Sequence, residues 1–172
     1  MFEQTKEKNI IQLKADSRNV GLKILRIFLA SSNELLEERE KIEQALNRKN
    51  KELRKEGVLI ELSIWEDAKY IGKSLRSQNN YNSEIESCDV FAMMFYSKVG
   101  KYSLEEVELA KSLFDTKQIP RILIFQKDID LPKNISEVDF EGRSNFLKKL
   151  KELEHFPVTF NSTDKQIGRA HV

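Results

Sequence analysis

Short runs of strand-forming residues alternate along this chain with charged segments of helical period. Ile24-Leu25-Arg26-Ile27-Phe28-Leu29-Ala30 is the first such run, and Ser31-Ser32-Asn33 follows it with turn and N-cap chemistry. From Glu34 to about Glu56 the period is helical. Leu35, Ile42, Leu46 and Leu53 share a face with Ala45 beside them, while Glu37, Glu38, Arg39, Lys41 and Arg48 cover the opposite one. Gly57 stands where a C-cap glycine belongs, and Val58 to Ile64 reads as the second strand. Trp65 to Asn80 is a long polar connection containing Gly72 and several basic residues, and connections of that length in a compact domain are often functional. Asn82 to Ser87 predicts a short helix. Val90 to Tyr96 is apolar throughout, as a strand covered on both faces must be. The helix from Leu104 to about Thr116 turns Val107, Ala110, Leu113 and Phe114 inward. Pro120 ends that segment and Arg121 to Phe125 makes the fourth strand. A loop holding Asp128, Asp130, Pro132 and Asn134 leads to a helix around Ser144 to Leu153. Phe156 to Phe160 completes the pattern as an edge strand, where a proline is tolerated.

Strand and helix alternate throughout, which predicts an α/β domain with a parallel sheet, helices on both faces and right-handed crossovers. Ligands in such folds bind at the carboxyl ends of the strands. Those ends are Ala30-Ser31-Ser32, Trp65-Glu66-Asp67, Ser97-Lys98 and Gln126-Lys127-Asp128. The body of the domain spans 23–160. Residues 1–22 read as a polar leader or short helix with Ile10, Ile11 and Leu13 as its apolar patch. Residues 161–172 continue no periodic pattern. They read as a frayed tail or as an artefactual, truncated C-terminus, and on the second reading further domains belong to the parent chain.

Composition narrows the function. Lys and Arg number 29 against 28 Asp and Glu, for a formal net charge of +1, so no basic excess points to nucleic acid. A single cysteine, Cys88, excludes an intrachain disulfide and a cysteine-rich metal site, and fits a reducing cytoplasm. No apolar run approaches membrane-spanning length. The chain has no G-x-G-x-x-G, no P-loop and no G-x-S-x-G elbow. Its two histidines, His155 and His171, both come late, which argues against a Ser-His-Asp or Cys-His site. Chemistry must then rest on carboxylates, aromatics and backbone, without a metal.

Glu106 is the leading candidate, and it has two readings. Ser103-Leu104-Glu105-Glu106 matches the capping-box pattern, in which Ser103 caps the helix and Glu106 turns back to the Ser103 N–H. Alternatively Glu106 overhangs the carboxyl edge of the sheet with Tyr102 one turn before it. A carboxylate beside an aromatic suits a ribosyl substrate: the ring stacks on a flat heterocycle, and the carboxylate stabilises positive charge as an N-glycosidic bond opens. Trp65 either packs beneath the long loop or forms a base-stacking wall. Ser31 and Ser32 are turn and cap residues or ligand donors. Lys73 and Arg76 are solvated or meet phosphates.

These residues, in the order Ile27-Phe28-Leu29-Ala30-Ser31-Ser32, long helix, strand ending in Trp65-Glu66-Asp67, long loop, Asp89-Val90-Phe91, then Glu106-Val107-Glu108-Leu109-Ala110, resemble a TIR (Toll/interleukin-1 receptor) domain. The likeness runs from Leu25 to Phe160 and is nearest to the bacterial TIR-like type of antiphage defence proteins. It implies a flavodoxin-like three-layer fold with a five-stranded parallel sheet. It also implies hydrolysis or cyclisation of NAD, as substrate and not cofactor, by one glutamate at the start of the third helix with a small residue four positions on. Glu106 with Ala110 matches that register, and Glu105 and Glu108 do not. The family often carries tryptophan four residues before the glutamate, where this chain has Tyr102. The connection after the second strand corresponds to the loop that gates the site and mediates assembly, so the resemblance implies self-association. A non-enzymatic TIR assembly module and a nucleoside deoxyribosyltransferase-like enzyme are the alternatives.

Overall fold

The computed structural model describes residues 21–65, 78–100 and 102–161, the side chains of Trp65 and of residues 78–81 excepted. The apolar runs form five strands: β1 (Lys23–Ser31), β2 (Val58–Trp65), β3 (Val90–Phe95), β4 (Arg121–Lys127) and β5 (Val158–Phe160). All pair in parallel, in the order β2-β1-β3-β4-β5. This is the flavodoxin-like order. Among the described residues four α-helices connect them: α1 (Leu36–Leu53), α2 (Gln78–Ser87), α3 (Ser103–Lys117) and α4 (Glu137–Glu152).

Handedness fixes the layers. The β1-to-β2 crossover moves one way across the sheet, and the other three move the opposite way. Right-handed connections therefore place α1 on one face and α2, α3 and α4 on the other. The packing agrees. Phe28, Ala30, Phe91, Met93, Phe95 and Ile124 join Ile85 of α2, Val107 and Ala110 of α3, and Phe146 and Leu150 of α4 in one buried cluster. The alternate residues Leu29, Ala92, Met94, Phe125 and Phe160 form a second cluster with Leu35, and Ile42 of α1 packs against that cluster. Phe91 to Phe95 are all buried, as the unbroken apolar run predicted.

Gly57 closes the α1 segment at φ 76°, in the left-handed region where glycine costs least. Three boundaries differ from expectation. A 3-10 turn, Asn33–Leu35, precedes α1 where one continuous helix was predicted. The α2 helix starts at Gln78, four residues before the predicted Asn82, because its first turn is polar and carries no periodic signal. The α4 helix begins at Glu137, not near Ser144. Ser136 caps it by accepting the Asp139 N–H at 3.1 Å. Val138 and Phe140 remain exposed in that first stretch, so the inward stripe that marks a helix appears only at Phe146.

The edge strand β2 has its outer backbone partly satisfied by a side chain. Asn50 of α1 donates from Nδ2 to the Ile60 carbonyl and accepts the Ile60 N–H on Oδ1, both at 2.8 Å. One amide thus takes the hydrogen bonds that a further strand would take, at what is the sheet's edge among the described residues. Asn50→Ala is expected to lower stability by about 2 kcal/mol in urea unfolding, one net hydrogen bond each way. A loss under about 0.5 kcal/mol would mean that water replaces both bonds.

Candidate functional site

The strands β1 and β3 are neighbours whose outgoing connections leave for opposite faces. That is the switch point of a doubly wound sheet, and the crevice beyond their carboxyl ends is where such folds bind ligands. Ser31 lies opposite Met94 there, and Ala30 lies opposite both Met93 and Trp65.

Glu106 enters this edge from the first turn of α3. The Tyr102 carbonyl accepts the Glu106 N–H at 3.0 Å, which makes Tyr102 the N-cap and Ser103 the first residue inside the helix. The capping-box register is therefore one residue out. The Ser103 N–H is also taken, by the Gly100 carbonyl at 3.1 Å. The capping reading of Ser103 and Glu106 is corrected on both counts. Glu106 is 8% exposed, next to the fully buried Val107, whereas Glu105 and Glu108 are exposed. Charged side chains are seldom fully buried, so burial sets Glu106 apart from its two acidic neighbours.

The other expected site residues are placed as follows. Tyr102 is exposed, one turn before Glu106. Trp65 ends β2 beside Ala30, its side chain outside the described residues. The long connection after it, with Lys73 and Arg76, lies outside them as well. Ser32 precedes the Asn33–Leu35 turn but makes no side-chain cap, and its hydroxyl donates to Glu34 at 3.1 Å. Ser31 falls in register with Met94, on the α1 side of the sheet, and its Oγ is buried without a hydrogen-bond partner among the described residues. A ligand touching both Ser31 and Glu106 would have to span the sheet edge between the two helix layers.

A second constellation at this edge has no sequence signature. The Glu34 carboxylate accepts the Lys98 N–H at 2.8 Å and the Ser97 hydroxyl at 2.5 Å, joining the ends of β1 and β3. Glu38 and Arg39, which the helical period assigns to the solvent face of α1, are instead 8% and 3% exposed. Glu38 pairs with Lys127 at the end of β4, and the Lys127 ammonium sits 5.6 Å from the centre of the Tyr96 ring. Arg143 Nε donates to the Tyr96 carbonyl at 2.9 Å. The sequence hint was position alone: Glu34, Tyr96, Ser97, Lys98 and Lys127 lie at or just beyond strand ends, whereas Glu38, Arg39 and Arg143 lie within helices. Partners 47 to 89 residues apart leave no local pattern.

Cys88 lies just before the start of β3, at the opposite end of that strand from Ser97 and Lys98. Burial pushes the Cys88 thiol up to about 11, and its Sγ donates to the Ile85 carbonyl. Cys88 is accordingly expected to resist a thiol reagent at pH 8 in the folded protein and to react fully in denaturant. Rapid labelling of the native state would show that α2 opens. Among the described residues no cluster of His, Cys, Asp and Glu could hold a metal ion. No helix among them is long and apolar enough to cross a membrane.

No family model and no curated protein matches the chain. Among solved structures, the TIR domains of the activated Roq1 resistosome, which directly recognises the pathogen effector XopQ, are similar at 14% identity. The match covers 86% of this chain and 99% of that one, with a TM-score of 0.48.

Proposed function

We propose that this chain is a TIR-type domain that cleaves the nicotinamide–ribose bond of NAD, acting as an effector of prokaryotic immunity. The observation that carries the reading is the burial of Glu106 in the first turn of the helix leaving β3, in a register that excludes a capping box.

In this mechanism the nicotinamide ring rests against Tyr102 or Trp65, and the Glu106 carboxylate faces the nicotinamide ribose. The C–N glycosidic bond breaks, and its electron pair leaves with nicotinamide. The base carried a positive charge and departs neutral, so no general acid is needed. The ribose takes on oxocarbenium character, which a fixed carboxylate stabilises more strongly than it stabilises the ground state. Water then adds to the ribose carbon and loses a proton, giving ADP-ribose. An internal nucleophile in its place gives a cyclic product. Ser31 and Ser32 are ligand donors at the end of β1 in this reading.

Assembly is part of the proposal. Val138 is 79% exposed and Phe140 about half exposed on the first turn of α4. Apolar side chains in that setting favour contact with another molecule, and they also support the second reading, a non-enzymatic assembly module. Incubation of concentrated protein with NAD, alone and under crowding, is expected to release nicotinamide. Absence of release from a demonstrably assembled sample overturns the enzymatic reading. Transfer of a nucleobase without NAD turnover would identify a deoxyribosyltransferase-like enzyme instead.

A further inference from the structure

Glu34 is held in an unusual way for a carboxylate near a surface. Its oxygens accept from Ser32 Oγ, Ser97 Oγ and the Lys98 N–H, at 3.1, 2.5 and 2.8 Å. Among the described residues it has no ion-pair partner: the Lys98 ammonium turns instead to Asp139, at 3.7 Å. Its negative charge is therefore met by two hydroxyls and a backbone N–H alone. These donors come from the ends of β1 and β3, across 64 residues of sequence, and they sit at the switch point. Ser97 is 2% exposed, so its hydroxyl is fixed in place by its surroundings.

A donor set that satisfies a carboxylate without a cation is also a donor set for phosphate oxygens. We infer that Ser32 Oγ, Ser97 Oγ and the Lys98 N–H form a phosphate-binding cradle at the β1/β3 crevice, which the Glu34 carboxylate occupies until a ligand phosphate displaces it. Two further observations support a ligand role. The buried Ser31 Oγ on the same strand end has no hydrogen-bond partner among the described residues, a state that is unfavourable when permanent. The Lys98 ammonium is well exposed and held only by a long surface pair, a contact worth little, so it can turn to an incoming anion. Displaced Glu34 returns to water at no large cost, because it lies on the exposed side of the Asn33–Leu35 turn.

The cradle predicts a sign that a mere structural tether does not. If Glu34 only pins β1 to β3, weakening it loosens the crevice and anion binding stays absent or falls. If Glu34 is a resident competitor, weakening it raises anion affinity, because apparent affinity scales with the fraction of molecules whose site is open. The test is calorimetric titration of the full chain with inorganic pyrophosphate and, separately, with ADP. Glu34→Gln is expected to bind at least about tenfold more tightly than the natural chain. Adding Ser97→Ala to Glu34→Gln is expected to abolish that gain. Tighter binding of ADP than of pyrophosphate assigns a nucleotide, and equal binding assigns the free anion. A folded Glu34→Gln protein that binds neither better than the natural chain overturns the cradle. Should that variant fail to fold, the natural chain still decides: the Lys98 amide resonance is expected to shift saturably with pyrophosphate, and an unmoved resonance overturns the proposal. These readouts are of binding and involve no turnover. Failure of NAD cleavage therefore leaves the cradle standing, and loss of the cradle leaves Glu106 untouched.

Discussion

Glu106→Gln is expected to reduce nicotinamide release from NAD by at least about 100-fold, with the loss in kcat and little change in KM. The amide keeps the size and shape of the carboxylate but carries no charge. It cannot stabilise positive charge that develops only as the glycosidic bond opens, so ground-state binding survives and the transition state does not. The substitution is nearly isosteric at a buried position, so the variant should keep its fold, which a thermal melt checks. Glu105→Gln and Glu108→Gln serve as matched controls on the exposed side of the same helix turn and should retain activity. Equal loss in all three would point to the charge of the helix start and away from one catalytic group. Full activity in Glu106→Gln would remove this residue from the chemistry altogether.

The second large effect concerns the pair at the other side of the edge. Lys127→Met is expected to destabilise the protein by about 3 kcal/mol, because it strands the Glu38 carboxylate where only about a tenth of its side chain is exposed. For a domain of this size that corresponds to a fall of roughly 10 °C in the thermal midpoint. Methionine keeps most of the aliphatic length of the side chain and deletes the ammonium. Replacing both partners with apolar groups, Glu38→Leu with Lys127→Met, should recover most of the loss, since neither charge is then left without its counterpart. A double variant no more stable than Lys127→Met would show that Glu38 is held by other groups and not by the ion pair.

Residue types and spacing were enough for the strands and for most helices. The fully apolar run from Val90 to Phe95 could satisfy a two-sided environment and little else, so the central strand was legible from hydropathy. The Gly57 C-cap was equally clear, because a glycine after a long amphipathic run has one common role. Legibility failed where the local signal was weak or shared. The start of α4 carries Val138 and Phe140 on its exposed side, which hides the period until Phe146. Ser103 and Glu106 have the spacing of a capping box, but the choice between Tyr102 and Ser103 as N-cap depends on which carbonyl accepts the first helical bond. Spacing cannot decide that, because both choices share one pattern.

The candidate site divides in the same way. The sequence alone could nominate Glu106, Tyr102, Ser31, Ser32 and Trp65, since each is tied to a strand end or a helix start by its own neighbours. It assigned Glu38 and Arg39 to solvent because helical period knows only a helix's own faces. Burial is set by what the tertiary fold lays against them, and β4 contributes Lys127 to that contact. The Glu34 bridge to Ser97 and Lys98 is likewise invisible in one dimension. Local physics, through propensity and period, determined which elements exist and in what order. Only the three-dimensional closure of the sheet decided which partners these charged side chains met, because those contacts join residues that the chain keeps 63 to 89 positions apart.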